Sequence, residues 1–188
     1  MKLVFCPIDL DISITSLPEI RQHQSHEYNK FWDNEILLDD SGQWRSDLHS
    51  DMDSVKELVA KLPYTSLNYV RVSRQTGPVI AHKDIWPKQV SLKMYEHFVA
   101  TEPCGYRIVL QGSTDVLEAH VDGKWCTTYL PSVPCCYVAD TTAIHHRVQE
   151  DPNRIIIYVR GFVDVESHKK LIKRSLDRYS DYAVYSKG

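Results

Sequence analysis

The feature that most constrains this chain is a long stretch of short β-type segments between residues 66 and 162. The segments are rich in Val, Ile, Tyr and Thr, and turn residues separate them at intervals of roughly ten residues, which is typical of a sandwich or barrel. Eight such segments can be marked, and eight is the number of strands in a jelly roll. They span 68–73, 79–83, 106–111, 117–121, 124–129, 135–138, 145–149 and 154–162.

Helical patterns flank this stretch on both sides. After a strand-like start at 3–5, helices are predicted over 20–32 and over 54–62, where Pro63 ends the second one. A further helix is predicted over 165–179, with His168 on its exposed surface. We therefore expect a single domain over 1–188 that is mainly β with flanking helices. Its parts are a mainly helical flank (1–65), a jelly-roll, cupin-like core (66–162) and a C-terminal helix with a tail (163–188).

Composition narrows the classes of protein. Hydrophobic residues make up 43% of the chain and charged residues 25%, which is ordinary globular usage. The net charge is -3 and the basic residues are scattered, so we expect no nucleic-acid partner. Acidic residues interrupt the N-terminal MKLVFCPIDLDISI, so we expect neither a signal peptide nor a membrane segment. The chain has five cysteines, an odd number that does not fit a framework of disulfide pairs. We therefore expect reduced thiols and a cytoplasmic location.

One candidate metal-binding motif stands at the end of the second predicted strand. His82 and Asp84 are two residues apart, and residues at that spacing on a strand point to the same face. The two side chains can therefore aim at one point. A His-x-Asp motif also occurs by chance, and a surface turn with two unrelated polar residues would look the same.

A second candidate group lies near the end of the predicted core. His146 precedes a turn, and Arg154 then opens a very apolar strand. A guanidinium that enters an apolar strand needs an anion or solvent, because a buried unpaired charge is very costly. Because neighbours on a strand point to opposite faces, only one of His145 and His146 can face inward. We expect His146 to do so, since an inward His145 would bring the cation of Arg147 beside a metal.

Together these residues predict a metal centre. Two histidines and one carboxylate on one face form the facial triad of non-haem iron(II) oxygenases, so His82, Asp84 and His146 are the expected iron ligands. No cysteine spacing suggests a structural zinc site instead. Arg154 would then bind the distal carboxylate of 2-oxoglutarate in a bidentate pair.

The order of the motifs along the chain carries a resemblance. The run from Val70 to Gly77 leads into His82-Lys83-Asp84, then comes Tyr106-Arg107-Ile108-Val109-Leu110, then Val138-Ala139-Asp140-Thr141 before His146-Arg147-Val148 and Arg154. This order resembles the aspartyl/asparaginyl β-hydroxylase-like family of 2-oxoglutarate oxygenases, which includes small free-proline hydroxylases. The resemblance covers about half of the chain.

The resemblance implies a double-stranded β-helix, with His82, Asp84 and His146 as ligands and Arg154 on the tail of 2-oxoglutarate. It also implies that Arg107 faces the cosubstrate or the substrate, although a surface salt bridge is an equally good explanation of that residue. Two departures alter the expected pocket. Val109 stands where the family often has a histidine, and Arg160 stands where an acidic residue is usual.

The expected activity is that of a dioxygenase that uses Fe(II), 2-oxoglutarate and O2 and releases succinate and CO2. Its substrate would be an amino acid, a peptidyl side chain or another small polar molecule. Trp86 and Tyr106, near the predicted mouth of the barrel, and Arg160 are weaker candidates for substrate contacts.

Two other classes of protein remain open from the sequence. A cupin-type isomerase or small-ligand binder would share the barrel and the metal but would neither need Arg154 nor consume 2-oxoglutarate. A catalytically silent barrel that serves as a binding module would tolerate loss of the ligands. The intact His82, Asp84 and His146 argue against the silent barrel.

Overall fold

The computed structural model describes residues 1–21, 32–75, 77–82, 104–140, 145–147, 151 and 153–187, with the backbone alone at Trp32 and Arg147. Its strands are β1 (Lys2–Ile8), β2 (Trp32–Ile36), β3 (Tyr64–Gln75), β4 (Val79–His82), β5 (Cys104–Gln111), β6 (Asp115–Val121), β7 (Lys124–Tyr129), β8 (Cys135–Ala139), β9 (His145–Arg147), β10 (Arg154–Val163) and β11 (Val184–Ser186). Its α-helices are α1 (Asp53–Ala60) and α2 (Val165–Tyr179). None of the described helices is long and apolar enough to cross a membrane.

The strands form two antiparallel sheets, and the fold is mainly β as expected. The large sheet has seven strands in the order β11-β1-β8-β5-β10-β3-β2, and the small sheet has four in the order β4-β9-β6-β7. Each of the eight segments predicted between 66 and 162 overlaps a strand of the structure. Lys83, Val148 and Gln149, at the ends of two predicted segments, lie outside the described residues.

Strand β10 lies inside the large sheet, because β3 and β5 pair with its two sides. Successive side chains of a strand point to opposite faces, and β10 separates its residues accordingly. On one face Ile157 and Val159 join a core that also contains Leu58 of α1 and Ile172 of α2. This face of the large sheet is therefore covered by helices.

The opposite face of the large sheet is turned towards the small sheet. Ile156 of β10 and Val109 of β5 pack there with Val116 of β6. Nearby, Val4 of β1 packs with Ala119, also of β6. Because these contacts join residues of both sheets, we call the space between the sheets the interior. The candidate functional residues of β5 and β10 are distributed between this interior and the helix-covered face.

The described part of the N-terminal flank differs from the mainly helical flank that we expected. It contributes β1 and β2 to opposite sides of the large sheet, and α1 is its one described α-helix. The Ser73 hydroxyl donates a hydrogen bond of 2.6 Å to Asn34 Oδ1, which fastens β2 to β3. Most of the helix predicted over 20–32 lies outside the described residues, although Trp32 itself starts a strand.

Helix α2 lies over 165–179 as predicted, but the exposure predicted for one of its side chains is wrong. Asp164 caps the helix by accepting a hydrogen bond of 2.9 Å from the Ser167 amide. His168, expected on the exposed surface, is buried instead and shares a hydrogen bond of 2.5 Å with the Tyr106 hydroxyl. The expectation was wrong because the apolar side of α2, with Leu171 as a buried neighbour, turns His168 onto the sheet.

The burial of His168 predicts an acid-sensitive fold. Burial lowers its pKa from 6.5 to about 4, so between these values the native state binds fewer protons than the unfolded state. Acidification in this window therefore favours unfolding. From pH 7.5 to pH 5 this linkage should remove about 2 kcal/mol from the free energy of unfolding, measured by urea titration.

The His168→Gln variant should lose this part of the pH dependence, because glutamine does not titrate. His120→Gln is the matched control, since His120 is exposed on β6 and should leave the slope unchanged. Equal pH slopes for the wild type and His168→Gln would contradict the assignment.

Candidate functional site

His82 is the last residue of β4, at an exposed end of the small sheet. Its Nδ1 lies 2.8 Å from the carbonyl oxygen of Ile80. A carbonyl oxygen only accepts hydrogen bonds, so in this pair Nδ1 carries a proton. Metal-binding histidines are commonly oriented by a hydrogen bond of this kind from the other ring nitrogen. The Ile80 carbonyl therefore holds the His82 ring in one orientation.

His145 is the histidine that the structure brings to His82. The two residues lie directly opposite each other on β9 and β4, and their ring centroids are 4.4 Å apart. On its other side His145 lies opposite Ala119, a buried residue of the interior. His145 is itself buried, so its ring and that of His82 share the interior side of the small sheet.

His146 lies on the other side of the small sheet. It is opposite Glu118 of β6, and its Nε2 is 2.7 Å from Glu118 Oε2. The centroid of its ring also lies 4.1 Å from the ring centroid of Trp125, and Trp125 is 46% exposed. We expected His146 to face the interior, but in the structure His145 faces the interior and His146 faces away from it. The sequence could not supply the reason, which is the register that sets His145 against Ala119.

Two predicted site residues, Asp84 and Trp86, lie outside the described residues. Within the residues that the structure does describe, no group of three or more His, Cys, Asp or Glu side chains is arranged to hold a metal ion. His82 and His145 are thus the pair that the described structure brings together. A third ligand would have to come from elsewhere in the chain, and Asp84 is the residue that the sequence predicts.

Arg154 is the most unusual side chain of the interior face. It is the first residue of β10 and is only 1% exposed. Among the described side chains that are fully buried, it is the largest. Its Nη1 donates a hydrogen bond of 3.1 Å to the carbonyl oxygen of Asp115. A guanidinium has five N–H donors and always carries its charge, so a buried one is a strong site for a planar anion.

A tight turn fixes the position of Arg154. Its amide donates a hydrogen bond of 2.9 Å to the carbonyl oxygen of Asp151, and the Asp151 carboxylate accepts one of 2.8 Å from the Ser113 amide. Gly112 has a φ of 121°, and a Cβ there would lie 2.6 Å from Asp151 Oδ2. A glycine is therefore required where this turn approaches the start of β10.

Strand β5 divides two predicted residues between opposite faces. Arg107 lies opposite Tyr158 of β10 and faces the interior. Tyr106 faces the helices, where the centroid of its ring is 5.7 Å from the ring centroid of Tyr64. This position corrects the expectation that Tyr106 lies near the mouth and contacts substrate. Arg160 is two residues beyond Tyr158 and hence lies on the same side of β10.

Arg71 of β3 is an interior residue that we did not single out from the sequence. It lies opposite Tyr158, and its Cζ is 4.4 Å from the centre of that ring. The signal that could have found it is the alternation of Arg71 and Ser73 with Val70 and Val72. The two valines join the helix-covered core, so the polar residues between them must face the interior.

The sequence was compared with protein-family models and with curated proteins. No protein-family model matches the sequence, and no match is found among curated proteins. The resemblance to the β-hydroxylase-like oxygenases therefore rests on the residues that carry it.

The facing of β9 predicts which histidine supports metal binding. Because His145 shares the interior side with His82, His145→Ala should weaken the binding of Fe(II), or of Co(II) as a spectroscopic substitute, by about tenfold or more. His146→Ala should bind metal as the wild type does. Anaerobic titration followed by Co(II) absorption would measure both. The reverse pattern would restore His146 as the ligand and show that β9 turns over when metal binds.

Proposed function

We propose that the protein is a non-haem dioxygenase dependent on Fe(II) and 2-oxoglutarate, and that its two facing sheets form a double-stranded β-helix. The observation that carries this proposal is the buried Arg154. A fully buried guanidinium at the head of a central strand is costly unless an anion uses it, and a dicarboxylate cosubstrate would do so. The pair of histidine rings on the facing sheet supports the same assignment.

The residues present suit an iron ion. The Ile80 carbonyl orients the His82 ring, and imidazole and carboxylate ligands are suited to Fe(II). Asp84 follows His82 by two residues and is proposed as the carboxylate ligand. The adjacent pair His145 and His146 is proposed to supply the other histidine. The resemblance assigned His146 to that place, whereas the side chain that lies beside His82 is His145.

Arg154 is proposed to bind the distal carboxylate of 2-oxoglutarate. The planar fork of a guanidinium matches a carboxylate in two parallel hydrogen bonds. The bond from Nη1 to the Asp115 carbonyl holds the guanidinium in one orientation before the cosubstrate arrives. Ile156 and Val109, in the interior beyond Arg154, offer an apolar wall that would shield the methylene carbons of 2-oxoglutarate from water.

When bound, Fe(II) and 2-oxoglutarate supply the reaction with O2 that gives succinate and CO2 and inserts one oxygen atom into a C–H bond of the substrate. The protein binds and orients the reactants and excludes water. The carbonyl of Ile80 keeps the His82 ring in one tautomer, and the buried face of β6 opposite His145 keeps that side of the site apolar. A hydroxylated amino acid, peptidyl side chain or other small polar molecule is the proposed product.

The first test is turnover of 2-oxoglutarate by the wild type and by variants of the proposed ligands. Purified protein with Fe(II), 2-oxoglutarate and O2 should produce succinate, detected by NMR, and the anaerobic mixture should show the visible charge-transfer band of the iron chelate. His82→Ala and Asp84→Ala should abolish both signals, whereas His120→Ala, on the outer face of β6, should keep them. Normal succinate production by either ligand variant would remove these residues from the metal site.

The second test concerns the cosubstrate. Arg154→Ala should raise the apparent KM for 2-oxoglutarate by about tenfold to a hundredfold, the value of one charge-assisted bidentate pair. Affinity for Fe(II) should change little, because Arg154 is not a proposed ligand. Arg154→Lys keeps the charge but loses the fork, so its KM should lie between the two. A cupin-type isomerase or ligand binder would bind metal without consuming 2-oxoglutarate, and it would be indifferent to both substitutions.

A further inference from the structure

Four side chains on the outer side of the small sheet gather around His146. Pairing sets Glu118 of β6 between His146 of β9 and Thr127 of β7, so these three residues lie in line across three strands. Trp125 of β7 completes the group, because the centroid of its ring is 4.1 Å from the ring centroid of His146. We call Glu118, Trp125, Thr127 and His146 the outer cluster.

Glu118 is the centre of the outer cluster. Its Oε1 accepts a hydrogen bond of 3.4 Å from the Thr127 hydroxyl, and its Oε2 lies 2.7 Å from Nε2 of His146. The second contact is electrostatic rather than a well-directed hydrogen bond. Two lone pairs at this distance would repel each other, so Nε2 carries a proton where it faces the carboxylate. Glu118 therefore attracts the His146 ring to the outer side of the sheet.

The outer cluster is partly shielded from solvent. Only 18% of the His146 side chain and 33% of the Glu118 side chain are exposed, so water and salt screen their attraction less than that of a fully exposed pair. The Trp125 ring packs beside the imidazole of His146, and the ring of His120 meets Trp125 edge to face at 5.2 Å. Together these contacts favour the outward position of His146.

The shortness of β9 makes such side-chain contacts important. The strand has three residues, whereas β10 has ten, so backbone pairing contributes less to fixing its register. A shift by one residue would exchange the faces of His145 and His146. Side-chain pairs across neighbouring strands oppose such a shift, and in a short strand they supply a larger share of the stabilisation. The outer cluster is therefore well placed to decide the facing of β9.

We propose that Glu118 is a positioning residue of the metal site, because it keeps His146 on the outer side of β9 and thereby presents His145 beside His82. This inference rests on the proposed function, whose second histidine ligand it assigns. Glu118 acts through His146 and does not itself bind the metal. When this attraction is removed, β9 can turn over, and His146 can then reach the interior.

A second-site substitution tests this role. In an anaerobic Co(II) titration of the full-length protein, His145→Ala should bind metal weakly, because His146 is kept outside. Glu118→Gln preserves the length of the side chain and removes its charge. Added to His145→Ala, it should strengthen Co(II) binding by about threefold to tenfold, because the released His146 can take the place of His145. A merely structural role of Glu118 would weaken binding further instead.

Two further comparisons separate this role from general electrostatics. A carboxylate near a cation site would assist metal binding whatever the state of His146. In the His146→Ala background, however, Glu118→Gln has no histidine to release, so Co(II) affinity should stay within about twofold of the single variant. His120→Gln is the matched control, since His120 is two residues from Glu118 on the same side of β6. Added to His145→Ala, it should restore no binding.

NMR of the metal-free protein reports the position of His146 directly. Because the ring centroids of His146 and Trp125 are 4.1 Å apart, the wild type should show a nuclear Overhauser effect between their ring protons. Glu118→Gln should weaken this signal, whereas His120→Gln should keep it. Circular dichroism would confirm that each variant is folded.

The outcomes distinguish this inference from the proposed function. If the wild type binds Co(II) but Glu118→Gln restores no binding to His145→Ala, or leaves the His146–Trp125 signal unchanged, the inference is overturned and the proposed function stands. The inference is also overturned if Glu118→Gln lowers Co(II) affinity equally with and without His146. If the signal is present in the wild type and lost in Glu118→Gln, but the wild type binds no metal, the positioning of His146 by Glu118 is supported and the proposed function fails.

Discussion

The two faces of β10 are the constraint on which the rest of the structure depends. Hydrogen bonds to β3 and β5 fix this strand on both sides, so its residues alternate between two environments without freedom to slip. Ile157 goes to the helix-covered core, whereas Arg154 and Tyr158 go to the interior between the sheets. A shift by one residue would bury the wrong set on each face, so stability of the core and placement of the site are set by the same register.

The interior buries charged arginine side chains, and their burial opposes the stability of the fold. A buried guanidinium costs several kcal/mol in lost solvation, and here Arg154 is fully buried while Arg71 and Arg107 are partly buried. The apolar contacts on the opposite face of the same strands supply the stability that tolerates this cost. Natural proteins depart from simple burial rules mainly where function requires it, which is why the interior carries the proposed site.

The core strands could be predicted from sequence because each has a local signal. Alternation and β-branched residues mark β10 and its neighbours whatever surrounds them. The edge strands β2 and β11 have no such signal: β2 is the polar run WDNEI, and its pairing depends on β3 being already in place. His168 was misjudged for a related reason, since its charged neighbours on α2 suggested exposure and only the packing of the helix decides otherwise.

The sequence by itself determined that the chain is mainly β, where most of its strands lie, and that His82, Asp84 and Arg154 are candidates for one site. Those conclusions follow from patterns local to a strand or a turn. The tertiary structure alone decided that His145 rather than His146 lies beside His82, and that Arg71 meets Arg107 across Tyr158. Alternation along a strand gives only two sets of side chains. The residue that pairs across the sheet, such as Ala119 opposite His145, decides which set faces inward.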